Sequence, residues 1–287
     1  MTYSIVARDP SSGELGVAVQ SRRFGTGAAV PCARAGVGAM ANQAFMVGTK
    51  GHLGLRLLES GASPSQVIDE LVSDDSYREH RQIGLVSTDG RTAVHLGEAC
   101  VREAGGLAID DLCVQGNMLS SKDVVAAVAE GFARTEGTLA ERLLRALDMG
   151  EAAGGDFRGR QAAGLLIVPG TPGDPWSNVT YNVRVDDHVD PLGELRRLYR
   201  IAAGLRRLNE IGPGASADEE MEAAHEAGLS PSDVALAGAL AHAHAGDVAA
   251  AAAQLRPFAD ADYRWRDFIG RAVGTGQLPR SVLDHLG

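Results

Sequence analysis

A threonine at position 2 places two parts of one reaction in a single residue once Met1 is removed. Methionine aminopeptidase clears Met1 when the next side chain is small, and the new terminus then carries both the Thr2 hydroxyl and a free α-amine. A threonine hydroxyl alone is a weak nucleophile. With an α-amine of pKa ~8 acting as general base, the same residue holds a nucleophile–base pair. Met-Thr is also an ordinary way for a chain to start, so the residues around it must decide.

Two other clusters could do chemistry. Gly154-Gly155-Asp156-Phe157-Arg158-Gly159-Arg160-Gln161 sets one carboxylate and two guanidinium groups in a glycine-bounded loop leading into a strand. Such a loop could orient a substrate carboxylate through a bidentate contact; an Asp–Arg pair pinning the loop accounts for it equally well. In Asp186-Asp187-His188-Val189-Asp190, strand alternation would put Asp186, His188 and Asp190 on one face, a constellation for a hard metal or a dimer contact. Asp190 followed by Pro191 is also a normal helix start, and this simpler assignment is preferred. Neither a metal nor a cofactor is expected. Cys32, Cys100 and Cys113 lack any Cys-x-x-Cys spacing and are assigned as small buried hydrophobes.

The elements that must position these residues follow from pattern. Residues 2–9 and 14–20 are β-rich runs around Asp9-Pro10-Ser11-Ser12-Gly13, which predicts a hairpin opening with Thr2. Ala35–Met40 is a strand of small residues, suited to close approach by a backbone or ligand. Helices are predicted at Thr49–Ser60 and Pro64–Ser73, the latter with Ser63 as N-cap, and strands at Gln82–Ser87 and Thr92–Leu96 around an Asp-Gly turn. A further apolar run ends at Gln115-Gly116-Asn117. Helices follow at Lys122–Ala133 and Leu139–Ala152, strands at Ala162–Val168 and Val179–Asp186, and an amphipathic helix at Pro191–Asn209. Strands and helices come in groups rather than alternating, which points to antiparallel sheets with helix pairs layered outside them. Beyond Gly212-Pro213-Gly214 the chain becomes Ala-rich helices at Ala217–Ala227, Ser232–Ala245, Val248–Leu255 and Tyr263–Val273. The pair around Gly246-Asp247 resembles a tetratricopeptide unit. The expected domains are 1–211 and 212–287.

Composition removes several classes of function. With 27 Lys+Arg against 37 Asp+Glu the 287-residue chain carries a formal charge of −10 and no basic stripe interleaved with aromatics, so nucleic acid is not an expected partner. No stretch approaches the ~20 apolar residues of a membrane span, and no signal segment opens the chain, so the expected location is cytoplasmic. The 36 glycines and abundant alanines suit close packing between subunits, and a homodimer or higher homo-oligomer is expected.

An ordered set of stretches carries a family resemblance: TYSIVARDPSSGELGVAVQS at the start, then RAGVGAMANQA, DLCVQGN, GGDFRGRQAAGLLIV and RVDDHVDPLGELRRL, covering about residues 2–205. The sequence resembles the bacterial family catalogued as domain of unknown function 1028, regarded as similar to the N-terminal nucleophile (Ntn) hydrolases. The resemblance implies an α+β fold, a four-layer αββα sandwich with two antiparallel sheets between helix layers. It sets Thr2 on the terminal nucleophile of that group and AGVGAMANQAF on a glycine-rich strand end bordering its active site. The group's supporting lysine has no counterpart, since the first lysine is Lys50, and Gln20-Ser21 stands where an aspartate is expected. Arg34 is the candidate for the positive charge, although a guanidinium of pKa above ~12 cannot shuttle a proton.

Within that architecture Ser21, Asn42 and Gln43 follow strands beside the N-terminal one, and their side chains could bind an acyl oxygen or a substrate amide; loop capping is the plainer role for each. Gln115-Gly116-Asn117 ends a strand just before a helix N-terminus, where Asn117 could line a pocket or simply cap. Thr2, Asn42 and Gln43 are the expected catalytic residues, and Ser21, Arg34, Asn117, Asp156, Arg158 and Gln161 the expected binding residues. The expected reaction is hydrolysis of a small amide. The alternative is a non-catalytic scaffold of the same fold whose C-terminal helices recruit a partner, the Trp265-Arg266-Asp267-Phe268 region resembling a segment labelled as peptidoglycan-binding in relatives of that family.

Overall fold

The computed structural model describes residues 2–46, 48–174, 177–210 and 217–287. The chain forms two compact units that meet in sequence at Arg196/Arg197. The expected boundary at Gly212-Pro213-Gly214 lies outside the described residues.

The first unit opens with the hairpin β1 (Thr2–Arg8) and β2 (Leu15–Ser21). Its turn is tied locally: the Asp9 carboxylate accepts from the Ser11 and Ser12 hydroxyls, and Gly13 supplies a φ of +75°. A short helix α1 (Thr26–Ala29) leads to the hairpin β3 (Pro31–Arg34) and β4 (Gly38–Ala44). Helix α2 (Gly48–Glu59) and helix α3 (Pro64–Ser73) follow, α3 opened by a Ser63/Gln66 capping box. Then come the strands β5 (Arg81–Ser87), β6 (Thr92–Leu96), β7 (Gly105–Ile109) and β8 (Leu112–Asn117). A second helix pair, α4 (Asp123–Arg134) and α5 (Leu139–Ala152), precedes β9 (Ala162–Val168), β10 (Tyr181–Val185) and helix α6 (Pro191–Asn209), within which the unit ends. The small-residue run predicted at 35–40 resolves into the turn of a hairpin: Gly36 adopts a φ of +70°, and the strand itself starts at Gly38.

Two sheets result, both antiparallel: six strands in the order β10-β9-β2-β1-β8-β7 and four in the order β3-β4-β5-β6. They pack face to face. Val6, Val17 and Val19 from the larger sheet meet Ala39, Ala41 and Val86 from the smaller, the alanines allowing the two backbones to approach. On the outer face of the smaller sheet, Met40, Ile83 and Leu85 are covered by Leu55 and Leu58 of α2 and Val67, Ile68 and Leu71 of α3. Helices α4 and α5 cover the larger sheet. A methyl group built on Gly16 of β2 would stand 2.7 Å from the Leu143 Cδ1 of α5, so the glycine sets how closely helix and sheet pack. The order across the unit is therefore helix pair, sheet, sheet, helix pair.

The second unit is helical: α7 (Ala217–Glu226), α8 (Pro231–His244), α9 (Val248–Ala261), α10 (Tyr263–Gly274) and α11 (Ser281–Leu286). Helix α9 runs past Pro257, beyond its predicted end at Leu255, because Ala259 is buried in the same core as Ala251, Ala252 and Leu255. Packing there outweighs the hydrogen bond that proline removes. No described helix is long and apolar enough to cross a membrane.

Candidate functional site

The layer between the sheets changes character along its length. Around Val6 and Val17 it is apolar; at the end where β1 begins it is filled by Thr2, Ser4, Gln43, Gln82, Gln115 and Asn117, none more than 5% exposed. Alternation on β1 explains the composition: Thr2, Ser4 and Val6 point between the sheets, while Tyr3 points to α5, where its hydroxyl donates to the Leu147 carbonyl at 2.9 Å. Burial, then the nearby carboxylates of Glu151 and Asp148, pushes the Tyr3 phenol well above its ordinary range, so it stays a neutral donor.

Thr2 stands opposite Asn117 in the β1–β8 register. Its hydroxyl donates to Ser21 Oγ at 3.1 Å, and Ser21 Oγ accepts the Arg23 backbone N–H at 3.1 Å. Its carbonyl accepts from Gln43 Nε2 at 3.2 Å. Gln43 is held in turn at both ends: Ser4 Oγ donates to its Oε1 at 2.7 Å, and its Nε2 donates to Gln82 Oε1 at 2.7 Å. Gln82 is the hub. Its oxygen also accepts from Asn117 Nδ2 at 2.9 Å, and its Nε2 donates to the carbonyls of Gly105 at 3.0 Å and Gly116 at 2.9 Å. These bonds tie β1, β4, β5, β7 and β8 together around the start of the chain. A buried amide with all its hydrogen bonds made is rigid, and that rigidity fixes where the Thr2 hydroxyl points.

Asn42 and Gln43 part company in the structure. Adjacent on one strand, they face opposite sides of the sheet: Gln43 stands behind Thr2, and Asn42 faces a cavity of about 940 Å³ beside α2. That cavity is also lined by Arg23, Val30, Cys32, Phe45, Met46 and His52. Gln43, with its amide donated to the Thr2 carbonyl and Gln82, positions Thr2 rather than presenting a donor to an oxyanion. The Cys32 thiol is pushed up by burial, opposed by the charge of Arg34.

The glycine-bounded loop does reach this end of the sheet. Asp156 Oδ2 accepts the Arg22 backbone N–H at 2.8 Å, and Asp156 Oδ1 accepts that of Arg158 at 2.8 Å. The Arg158 guanidinium turns back onto the same carboxylate at 3.2 Å, with the Asp156 side chain fully buried. The pair therefore braces the strand end that carries Ser21. Gln161 braces it from the other side, donating its backbone N–H to the Ser21 carbonyl at 3.0 Å and its side-chain amide to Asp187 at 2.9 Å. Arg34 is elsewhere: it pairs with Gly38, at the opposite end of β4 from Gln43, and its guanidinium is bound to Glu59. Thr2, Ser21, Gln43, Asn117 and Asp156 are thus brought together, Asn42 borders them, and Arg34 stays apart. Ser4, Gln82 and Arg23 join the site without having been expected; a glutamine or serine within a strand run gives no signal of the face it will occupy.

The profile of the family of unknown function DUF1028 matches residues 2–195, from β1 to the first turn of α6. The chain belongs to this family. All the residues just placed around Thr2 lie inside the DUF1028 region. The chain is also similar to a protein with the same family designation, SPO2555 from Silicibacter pomeroyi, whose crystal structure superimposes with a TM-score of 0.64 at 29% identity, covering 70% of this chain and 89% of that one. Among curated proteins none matches.

Proposed function

We propose that this DUF1028 protein is an amide hydrolase of the N-terminal nucleophile type, with Thr2 as the nucleophile once Met1 is removed. The observation that carries the proposal is the Thr2 hydroxyl held at 3.1 Å from Ser21 Oγ, which also accepts the backbone N–H of Arg23, a residue that lines a cavity large enough for a compact acyl group. In the reaction, Thr2 Oγ1 bonds to the substrate carbonyl carbon while its proton passes to the Thr2 α-amine. The oxyanion formed is stabilised by N–H donors at the site. Collapse breaks the C–N bond as the α-amine returns the proton to the leaving nitrogen. Water then hydrolyses the Thr2 ester, releasing a carboxylic acid.

A second reading, a non-catalytic scaffold of the same fold, is favoured by one observation: Thr2 is only 5% exposed and does not figure among the described residues lining the cavity. Intact mass of protein made without an N-terminal tag, before and after a β-lactone probe, separates the two. Loss of Met1 with one adduct on Thr2, absent in Thr2→Ala, supports the hydrolase. Retained Met1, or no adduct on a processed chain, favours the scaffold.

A further inference from the structure

The cavity beside Asn42 has an unbalanced charge. Among its described lining residues there is no carboxylate, and the one guanidinium is that of Arg23. Neighbouring arginines are already engaged: Arg158 with Asp156, Arg160 with Glu151 and Asp190, Arg81 with Asp75, Arg34 with Glu59, and Arg22 with the Gln161 side chain. Arg23 makes no ion pair among the described residues, and its NH1 lies 3.9 Å from the Met46 sulfur on the cavity wall. Its backbone is nonetheless fixed next to the chemistry, since its N–H is the group that Ser21 Oγ accepts while also accepting the Thr2 hydroxyl.

From this geometry we infer that the cavity binds the carboxylate of a substrate whose acyl part is apolar, and that Arg23 is the residue that selects it. The inference rests on the assignment of Thr2 as nucleophile. Val30, Phe45 and Met46 supply an apolar wall against which an acyl chain packs. A guanidinium offers two parallel N–H donors to a carboxylate. The first turn of α2, Gly48 and Thr49, lines the same cavity and adds a helix dipole of the same sign. In a chain of net charge −10 the bulk field repels anions, so selection of one needs a local cation of this kind. The substrate class is an amide of a dicarboxylic acid, or an amide whose acyl chain ends in a carboxylate.

The test uses the full chain and two ligand pairs. In the first, 4-phenylbutanoate and 4-phenylbutanamide are compared by ligand-observed NMR on the Thr2→Ala protein, where no reaction can occur. The carboxylate is expected to bind about 10-fold more tightly, within the range of one charge-assisted hydrogen bond. Arg23→Gln should bring the ratio to about 1, and Arg23→Lys should keep part of it. Equal binding of the two ligands, or a preference that survives Arg23→Gln, overturns the inference. In the second, two β-lactones differing only in a terminal carboxylate or its methyl ester are mapped to Thr2 by mass; faster labelling by the carboxylate form, lost in Arg23→Gln, supports it. A binding preference that follows Arg23 while neither lactone labels Thr2 supports the anion site and overturns the nucleophile. Labelling of Thr2 at equal rates by both lactones does the reverse.

Discussion

Gln82→Met tests the amide network most directly, because it keeps the volume of the side chain and removes all of its polarity. Four hydrogen bonds are lost: those received from Gln43 and Asn117, and those given to the Gly105 and Gly116 carbonyls. Gln82 is fully buried, so water cannot replace them. At ~1 kcal/mol net for each bond the loss is about 4 kcal/mol. That net figure already includes the desolvation of the amide, so a destabilisation of about 4 kcal/mol is expected. All the described strands lie in the first unit, so urea unfolding followed by strand circular dichroism reports on it, and the midpoint should fall with an unchanged slope. Gln43 retains its bonds to Ser4 and to the Thr2 carbonyl in the variant, so the protein should still fold while β-lactone labelling of Thr2 slows. A loss of stability below about 1 kcal/mol would refute the network, since the buried Asn117 amide could not then have been orphaned.

Two further perturbations probe the scaffold. The Asp75 carboxylate lies 2.8 Å from Arg81 Nε and 3.0 Å from Lys50 Nζ, and the Arg81 bond, then the Lys50 bond, holds its pKa well below the usual carboxylate range despite burial. Asp75→Asn leaves the Arg81 guanidinium, 4% exposed, without its counter-charge, and should cost about 3 kcal/mol in urea unfolding. Because the folded pKa is depressed, the stabilisation is fully present above the unfolded value of ~4 and is lost as pH falls from there toward the folded value; the variant should therefore show a shallower acid-side decline in stability, and an unchanged decline would contradict the assignment. Gly164→Ala on β9 would put a methyl 2.6 Å from the Gly27 Cα of α1, a backbone atom that cannot rotate away. About 2 kcal/mol of overpacking is expected, read as a melting point lower by roughly 4–8 °C in calorimetry, and an unshifted melt would show that α1 does not pack on β9 so closely.

Much of the scaffold was legible because its signals are local. Asp9 through Gly13 make a turn through their own side chains, Ser63 caps its helix within one turn, and the alternation of the strands needs no partner to be seen. Grouping of strands and helices, rather than strict alternation, was enough to indicate antiparallel sheets between helix pairs. Thr2, Ser21, Asn117 and Asp156 were recognisable as polar groups at strand ends, which is where a sheet presents chemistry. Their mutual distances were not, because they come from four segments separated by up to 154 positions.

The amino-acid sequence by itself determined most of the elements, several of their turns and caps, and the family. Tertiary structure alone decided which of two neighbouring amides bonds to Thr2. Asn42 and Gln43 are adjacent in the chain, yet a strand sends them to opposite faces, one to the cavity and one behind Thr2, and only the stacking of the second sheet establishes which face is which. It likewise decided that Arg158 turns inward onto Asp156 while Arg23 is left facing the cavity. A charge is committed by what folds against it, and the groups that fold against these arginines are distant in sequence, so no local pattern records the choice.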